Sequence, residues 1–156
     1  MDYKNPTPVA VCVARVRRLD SSLGLLGIVR KLTPVGGLAF PGGFVDELES
    51  ARMAAAREFR EETRFVTQPS QWELLEDAVS PSNRLLLFCE LRLEVPEQQL
   101  QRFTETSEVS GLFCIGHDSQ ELCFPLHQDF AKVYLANAGL ERYALQQLPL
   151  DESDKL

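Results

Sequence analysis

Three glutamates, Glu58, Glu61 and Glu62, stand three and four positions apart in a stretch free of glycine and proline. On a helix that advances about 100° per residue they share one face. Like charges at this spacing repel one another and weaken a helix by a few tenths of a kcal/mol per pair. A purely structural helix more often alternates its signs there. Clustered carboxylates do suit one task well: they offer hard oxygen ligands to Mg2+ or Mn2+, which keep several waters when bound. A solvated acidic helix face is the competing reading.

The flanking residues weigh against that plainer reading. Gly42 and Gly43 precede the cluster and allow a sharp turn or a close approach of backbone to a metal or phosphate. Glu49 falls where a helix begins and suits the positive end of the helix dipole. Arg57 can pair with an acidic neighbour and hold the preceding loop against the helix. Ala51, Ala54, Ala55 and Ala56 let that helix pack closely on a sheet.

Residues 43–65 resemble the Nudix box. Its pattern is Gly, five residues, Glu, seven residues, Arg-Glu, an apolar residue, any residue, Glu-Glu, any residue, Gly, and a final apolar residue. Gly43, Glu49, Arg57, Glu58, Phe59, Glu61, Glu62 and Phe65 match it, and the lead-in Ala-Phe-Pro-Gly-Gly at 39–43 is similar to that of many relatives. Arg64 replaces the last glycine, and Leu48 stands where many relatives carry another. A left-handed backbone is often wanted at the end of the helix, so arginine at 64 is expected to cost roughly 1 kcal/mol or to change the helix end.

The resemblance implies a metal-dependent pyrophosphohydrolase that directs water onto the diphosphate of a nucleoside diphosphate derivative. ADP-ribose, nucleotide sugars and dinucleotides are the expected substrates. Release of pyrophosphate from nucleoside triphosphates and non-catalytic nucleotide binding are the alternatives. By the same resemblance Glu58, Glu61, Glu62 and the Gly42 carbonyl hold Mg2+ or Mn2+, while Gly43, Glu49 and Arg57 organise the loop and helix. Glu58 is the expected general base, with Glu105 and Glu108 as loop candidates. Arg15, Arg17, Arg18, Arg30 and Lys31 form a basic group near the strand ends, of which Arg30 is the expected phosphate contact. Trp72, Phe40 and Phe44 either stack on a base or, as aromatics beside strands usually do, fill the core.

These residues need a scaffold. Strands are expected at 9–16, 25–29, 38–40, 72–79, 84–93 and 109–115, with a turn at Ser80-Pro81-Ser82-Asn83. The Ala-, Arg- and Glu-rich stretch 49–63 is the strongest helix, residues 96–107 a polar loop with at most one helical turn, and 126–145 a second helix weakened or divided at Gly139. The expectation is an α/β fold, a Nudix-like α/β/α sandwich with a mixed sheet between helices. It forms one domain over residues 1–150, with a frayed tail at 151–156.

Composition sets wider bounds. The 156 residues carry 16 basic and 23 acidic side chains, a net charge of −7, which speaks against a nucleic-acid polymer as partner. A small phosphorylated ligand remains compatible, because a bound cation reverses the local sign. No apolar run has the roughly 20 residues of a membrane span, and the opening Met-Asp-Tyr-Lys-Asn-Pro lacks the apolar core of a signal peptide. The four cysteines are widely spaced; a zinc site with His117 or His127 fits no ligand pattern, and Cys12 and Cys89 lie in apolar runs as small hydrophobes. A reducing cytoplasm is the expected setting, and a homodimer is the expected assembly if the family habit holds.

Overall fold

The computed structural model describes residues 4–116 and 121–146, with side chains of the last helix as far as residue 137. His117 and the expected tail at 151–156 lie outside the described residues. The first strand, β1 (Thr7–Val13), alternates its side chains between two cores. Ala10 and Cys12 face one cluster, Val11 and Val13 the other. This two-sided burial is what a β-branched central strand with no polar alternation achieves.

The expected single strand at 9–16 is divided. After Ala14 the chain passes into β2 (Arg15–Arg17), which belongs to a second sheet. Further strands are β3 (Leu23–Arg30), β4 (Leu38–Ala39), β5 (Gly42–Phe44), β6 (Trp72–Val79), β7 (Arg84–Leu91), β8 (Val95–Pro96) and β9 (Val109–Ile115). The sheet order β5-β1-β7-β6 places β1 antiparallel to β5 and parallel to β7. In the second sheet β3 pairs with β9 along one edge and with β2 and β4 along the other. The strands β5 and β8 were absent from the sequence expectation; three residues of Gly-Gly-Phe and a Val-Pro pair carry no strand pattern.

The helix α1 (Ala51–Thr63) starts two residues later than its composition suggests, because Ser50 caps it by accepting from the Met53 amide at 3.1 Å. Ala54, Ala55, Ala56 and Phe59 bury its inner face against β1, β7 and the Trp72 ring, whose centroid lies 5.1 Å from that of Phe59. On the opposite side α2 (Pro125–Gln146) packs Phe130, Ala131, Tyr134 and Leu135 against Val11, Val13, Leu25 and Phe88. The helix continues through Gly139, so that residue does not divide it. The result is a helix on each side of the strands, an α/β/α sandwich. A short 3-10 helix, Glu97–Arg102, occupies part of the expected polar loop.

Candidate active site

Two sequence neighbourhoods meet at one end of α1. The first is β5, with Gly42 and Gly43, and the second the loop before β9, both at the C-terminal half of α1. On α1, Glu58 and Glu62 are buried, at 8% and 4% exposure, whereas Glu61 has half its side chain in solvent. The buried pair faces the glycines: the Gly42 N–H donates to Glu62 Oε1 at 2.6 Å. The expected role of Gly42 used its carbonyl; in this structure the amide is the group engaged with a site carboxylate.

Neither glycine has a left-handed φ, so the sharp turn expected of them is not what selects glycine. Space selects it. A Cβ on Gly42 would lie 2.2 Å from the Ala10 carbonyl oxygen, and one on Gly43 2.5 Å from the Glu58 carboxylate. Within the segment 43–65 the left-handed residues are instead Leu48 (φ 63°) and Arg64 (φ 72°), the two positions where the sequence departs from the box pattern.

Arg57 knits the segment together. Its Nε and Nη2 donate to the two oxygens of Glu49 at 2.8 and 2.9 Å, and Nη2 also reaches the Phe44 carbonyl at 2.9 Å. Nη1 donates to Glu58 at 2.8 Å and to Glu61 at 3.3 Å. Glu49 lies outside the helix, where the Arg57 hydrogen bonds hold its carboxyl below the usual range despite partial burial. Its partnership is thus with Arg57 and the Asp46 amide, not with the helix dipole.

The two buried carboxylates are pushed the other way. Burial raises Glu62 to about 8, the Gly42 hydrogen bond opposing and the Glu58 charge adding to the shift. Burial also raises Glu58, against the pull of Arg57 and with added repulsion from Glu61 and Glu108. Buried carboxylates brought together in this way are offset well by a divalent cation. Among the described residues no three acidic, imidazole or thiol groups already form a closed cage; Arg57 bridges Glu58 and Glu61 instead. The donor chemistry fits Mg2+ or Mn2+, hard cations that take few protein oxygens and keep waters.

An open cleft of ≈ 570 Å³ lies alongside. The α1 end supplies Arg60, Glu61, Glu62 and Arg64, and the facing loop supplies Thr106, Ser107 and Glu108. Of the two loop candidates, Glu108 therefore lines the cleft, while Glu105 pairs with Lys31 at 2.8 Å. Arg60, one basic residue among several on the helix, and Thr106 and Ser107, single polar residues in a loop, carried no signal in the sequence.

The basic group is dispersed. Arg15 is fully buried and its Nε donates to the Tyr134 hydroxyl at 2.6 Å. Arg17 pairs with Glu94 at 2.6 Å and Arg18 reaches Glu97 at 4.0 Å, both away from the cleft. Arg30 donates to the Thr33 carbonyl at 2.7 Å, lies 4.9 Å from the Phe124 ring centroid, and is near enough to lower the pKa of Glu62. Trp72 and Phe40 belong to the core, and Phe44 is half exposed beneath the Arg84 guanidinium.

The sequence model of the NUDIX domain matches residues 6–134. The chain belongs to the Nudix family. Comparison with curated protein sequences gives no match. Among solved structures, the NUDIX domain of Shewanella oneidensis NrtR complexed with ADP ribose superposes on this Nudix chain with a TM-score of 0.65 at 19% identity, covering 88% of this chain and 90% of that one. A bifunctional NMN adenylyltransferase/ADP ribose pyrophosphatase from Francisella tularensis, complexed with AMP and a Mn ion, gives 0.66 at 18% identity over 89% of this chain and 44% of its own. A MutT/nudix family protein from Enterococcus faecalis gives 0.61 at 23% identity over 73% of this chain. The chain spans 45% of the length of that last protein. No helix among the described residues is long and apolar enough to cross a membrane.

Proposed function

We propose that this Nudix chain is a divalent-metal-dependent pyrophosphohydrolase that cleaves the diphosphate linkage of a nucleoside diphosphate derivative, with ADP-ribose-like compounds first among its substrates. The observation that carries the reading is the pair of buried carboxylates, Glu58 and Glu62, beside exposed Glu61 at the mouth of a cleft. The ligands of two similar structures, ADP ribose in one and AMP with Mn in the other, favour this substrate class.

Glu58, Glu61 and Glu62, with the backbone at Gly42, are the groups to hold Mg2+ or Mn2+, which when bound supplies positive charge against the diphosphate and makes water a stronger acid. Arg57 keeps Glu58 and Glu61 oriented and ties them to the Glu49 loop. Glu58 takes the proton from the attacking water in this reading, with Glu108 across the cleft as the second candidate. Arg30 is the cation available to the phosphates from β3.

The test is phosphate-sensitive turnover of ADP-ribose, dinucleotides, nucleotide sugars and nucleoside triphosphates, with Mg2+ or Mn2+, for the wild type and Glu61→Gln. Metal-dependent cleavage is expected, falling by about a hundredfold or more in the variant. Preference for triphosphates would place the chain with enzymes that release pyrophosphate from nucleotides. Absence of turnover, with a nucleotide raising the melting temperature of both proteins, would replace the hydrolase with a binding module.

A further inference from the structure

One side chain hydrogen-bonds the end of α1 to the loop before β9. Arg64 closes the helix in a left-handed conformation, φ 72° and ψ 0°, its N–H donating to the Arg60 carbonyl at 2.9 Å. Glycine would occupy that conformation without strain. Arginine adds reach: Nη2 donates to the Glu105 carbonyl at 3.0 Å and Nε to the Thr104 carbonyl at 3.4 Å.

Those carbonyls belong to the segment that delivers Glu108 to the cleft. Its turn is closed by the Thr106 N–H on the Val109 carbonyl at 2.9 Å and by the Val109 N–H on Thr106 Oγ1 at 3.0 Å. The Lys31 N–H also holds the Glu108 carbonyl at 2.8 Å. Glu108 faces Glu61 and Glu62 on an α1 end that also carries Arg60 and Arg64, and its charge makes both Glu58 and Glu62 harder to ionise. A loop held close against such repulsion needs ties. Arg64 bonds it from the helix side, and the Lys31–Glu105 ion pair from the strand side.

We propose that Arg64 is a positioning residue, gripping the carbonyls of Thr104 and Glu105 and thereby setting the distance of Glu108 from the glutamate face of α1. The strain of its backbone is the counterpart of that grip. Its effect on turnover rests on the hydrolase reading in the form that gives Glu108 the proton-accepting role, while the grip itself is measurable without any substrate.

Arg64→Gly and Arg64→Lys are compared with wild type, alone and combined with Glu108→Gln, in three measurements: melting temperature, hydrogen exchange of the Thr106, Glu108 and Val109 amides, and steady-state kinetics. Arg64→Gly is expected to melt no lower than wild type, yet to speed exchange at these amides about tenfold or more. Its kcat falls between about tenfold and a hundredfold, with KM changed less than about threefold. Arg64→Lys recovers part of that loss, and in the Glu108→Gln background the glycine substitution changes kcat far less than in wild type. Unaltered exchange, or unaltered kcat in an active protein, overturns the proposal. A rise in KM with kcat preserved also overturns it, making Arg64 a substrate contact. If wild type hydrolyses nothing while exchange still accelerates in Arg64→Gly, the hydrolase reading fails and the clamp stands.

Discussion

Arg57 makes hydrogen bonds to three glutamates and one carbonyl, and its side chain is 23% exposed. Truncation would take the Arg57 donors from the largely buried Glu49 and Glu58 carboxylates and leave Glu49 the Asp46 N–H alone. Arg57→Ala is expected to cost about 2–3 kcal/mol in urea unfolding, and Arg57→Lys most of that, because an ammonium cannot span both oxygens of Glu49 and the Phe44 carbonyl together. A loss below about 0.5 kcal/mol for the alanine variant would show the network to be solvated in solution.

His127 is a second residue whose environment makes a measurable claim. It accepts the Phe40 N–H on Nδ1 at 3.2 Å and is packed among Phe40, Phe88 and Phe124. Burial, with a smaller push from Arg30, lowers it to about 3. The unfolded chain, with an ordinary imidazole, binds the proton first, so stability falls as pH drops from about 6.5 toward 3, by at most about 1.4 kcal/mol per pH unit. His127→Gln keeps an acceptor for Phe40 and should flatten that part of the stability profile. An unchanged acid slope in the variant would assign it to the carboxylates instead.

At the scale of elements, the glutamate helix was legible because its signals are local: composition, absence of breakers, and a spacing that a helix turns into one face. The strand pattern was legible for the same reason in β3, β6, β7 and β9. The division of residues 9–16 between two sheets was not, since Ala14 carries no turn residue and the break is imposed by pairing, β1 with β7 and β2 with β3. The glycines show how an element can need a residue for a reason its backbone does not display. Gly42→Ala would drive a Cβ into the Ala10 carbonyl in the β1–β5 pairing and is expected to cost about 1–3 kcal/mol. Gly43→Ala meets the end of the Glu58 side chain, which can move, so it should damage turnover more than stability. Leu48, 96% exposed and left-handed, predicts the opposite sign: Leu48→Gly should stabilise by about 1 kcal/mol, read from the urea midpoint.

Among the described residues the core has two larger parts, one between the strands and α1 and one between the strands and α2, with a smaller cluster at Ile28, Ala39 and Val109, and the site sits where α1 and the loop before β9 leave the strands. A chain with net charge −7 and buried carboxylates at that place should be stabilised by the ion it binds. Mn2+ or Mg2+ at 100 times its dissociation constant is expected to add about 2.7 kcal/mol, seen as a rise in melting temperature that Glu61→Gln and Glu62→Gln reduce. A melting temperature indifferent to both ions would sink the proposed ligand set.

The amino-acid sequence by itself determined the family, the sandwich class and the glutamate face, because residue identity at fixed spacing along one helix is enough to define all three. Only the tertiary structure decided which of the scattered cations serve the core and which approach the site. Arg15 and Arg30 read alike as strand-end arginines, yet one is sealed against Tyr134 and the other stands near Glu62. The same holds for Glu105 and Glu108, three residues apart in one loop. Lys31 draws the first away, and the Thr106 turn together with the Arg64 bonds turns the second toward the cleft. Such choices depend on partners distant in the chain, brought near by the packing of α1 and β3 around a common core, and no local pattern encodes them.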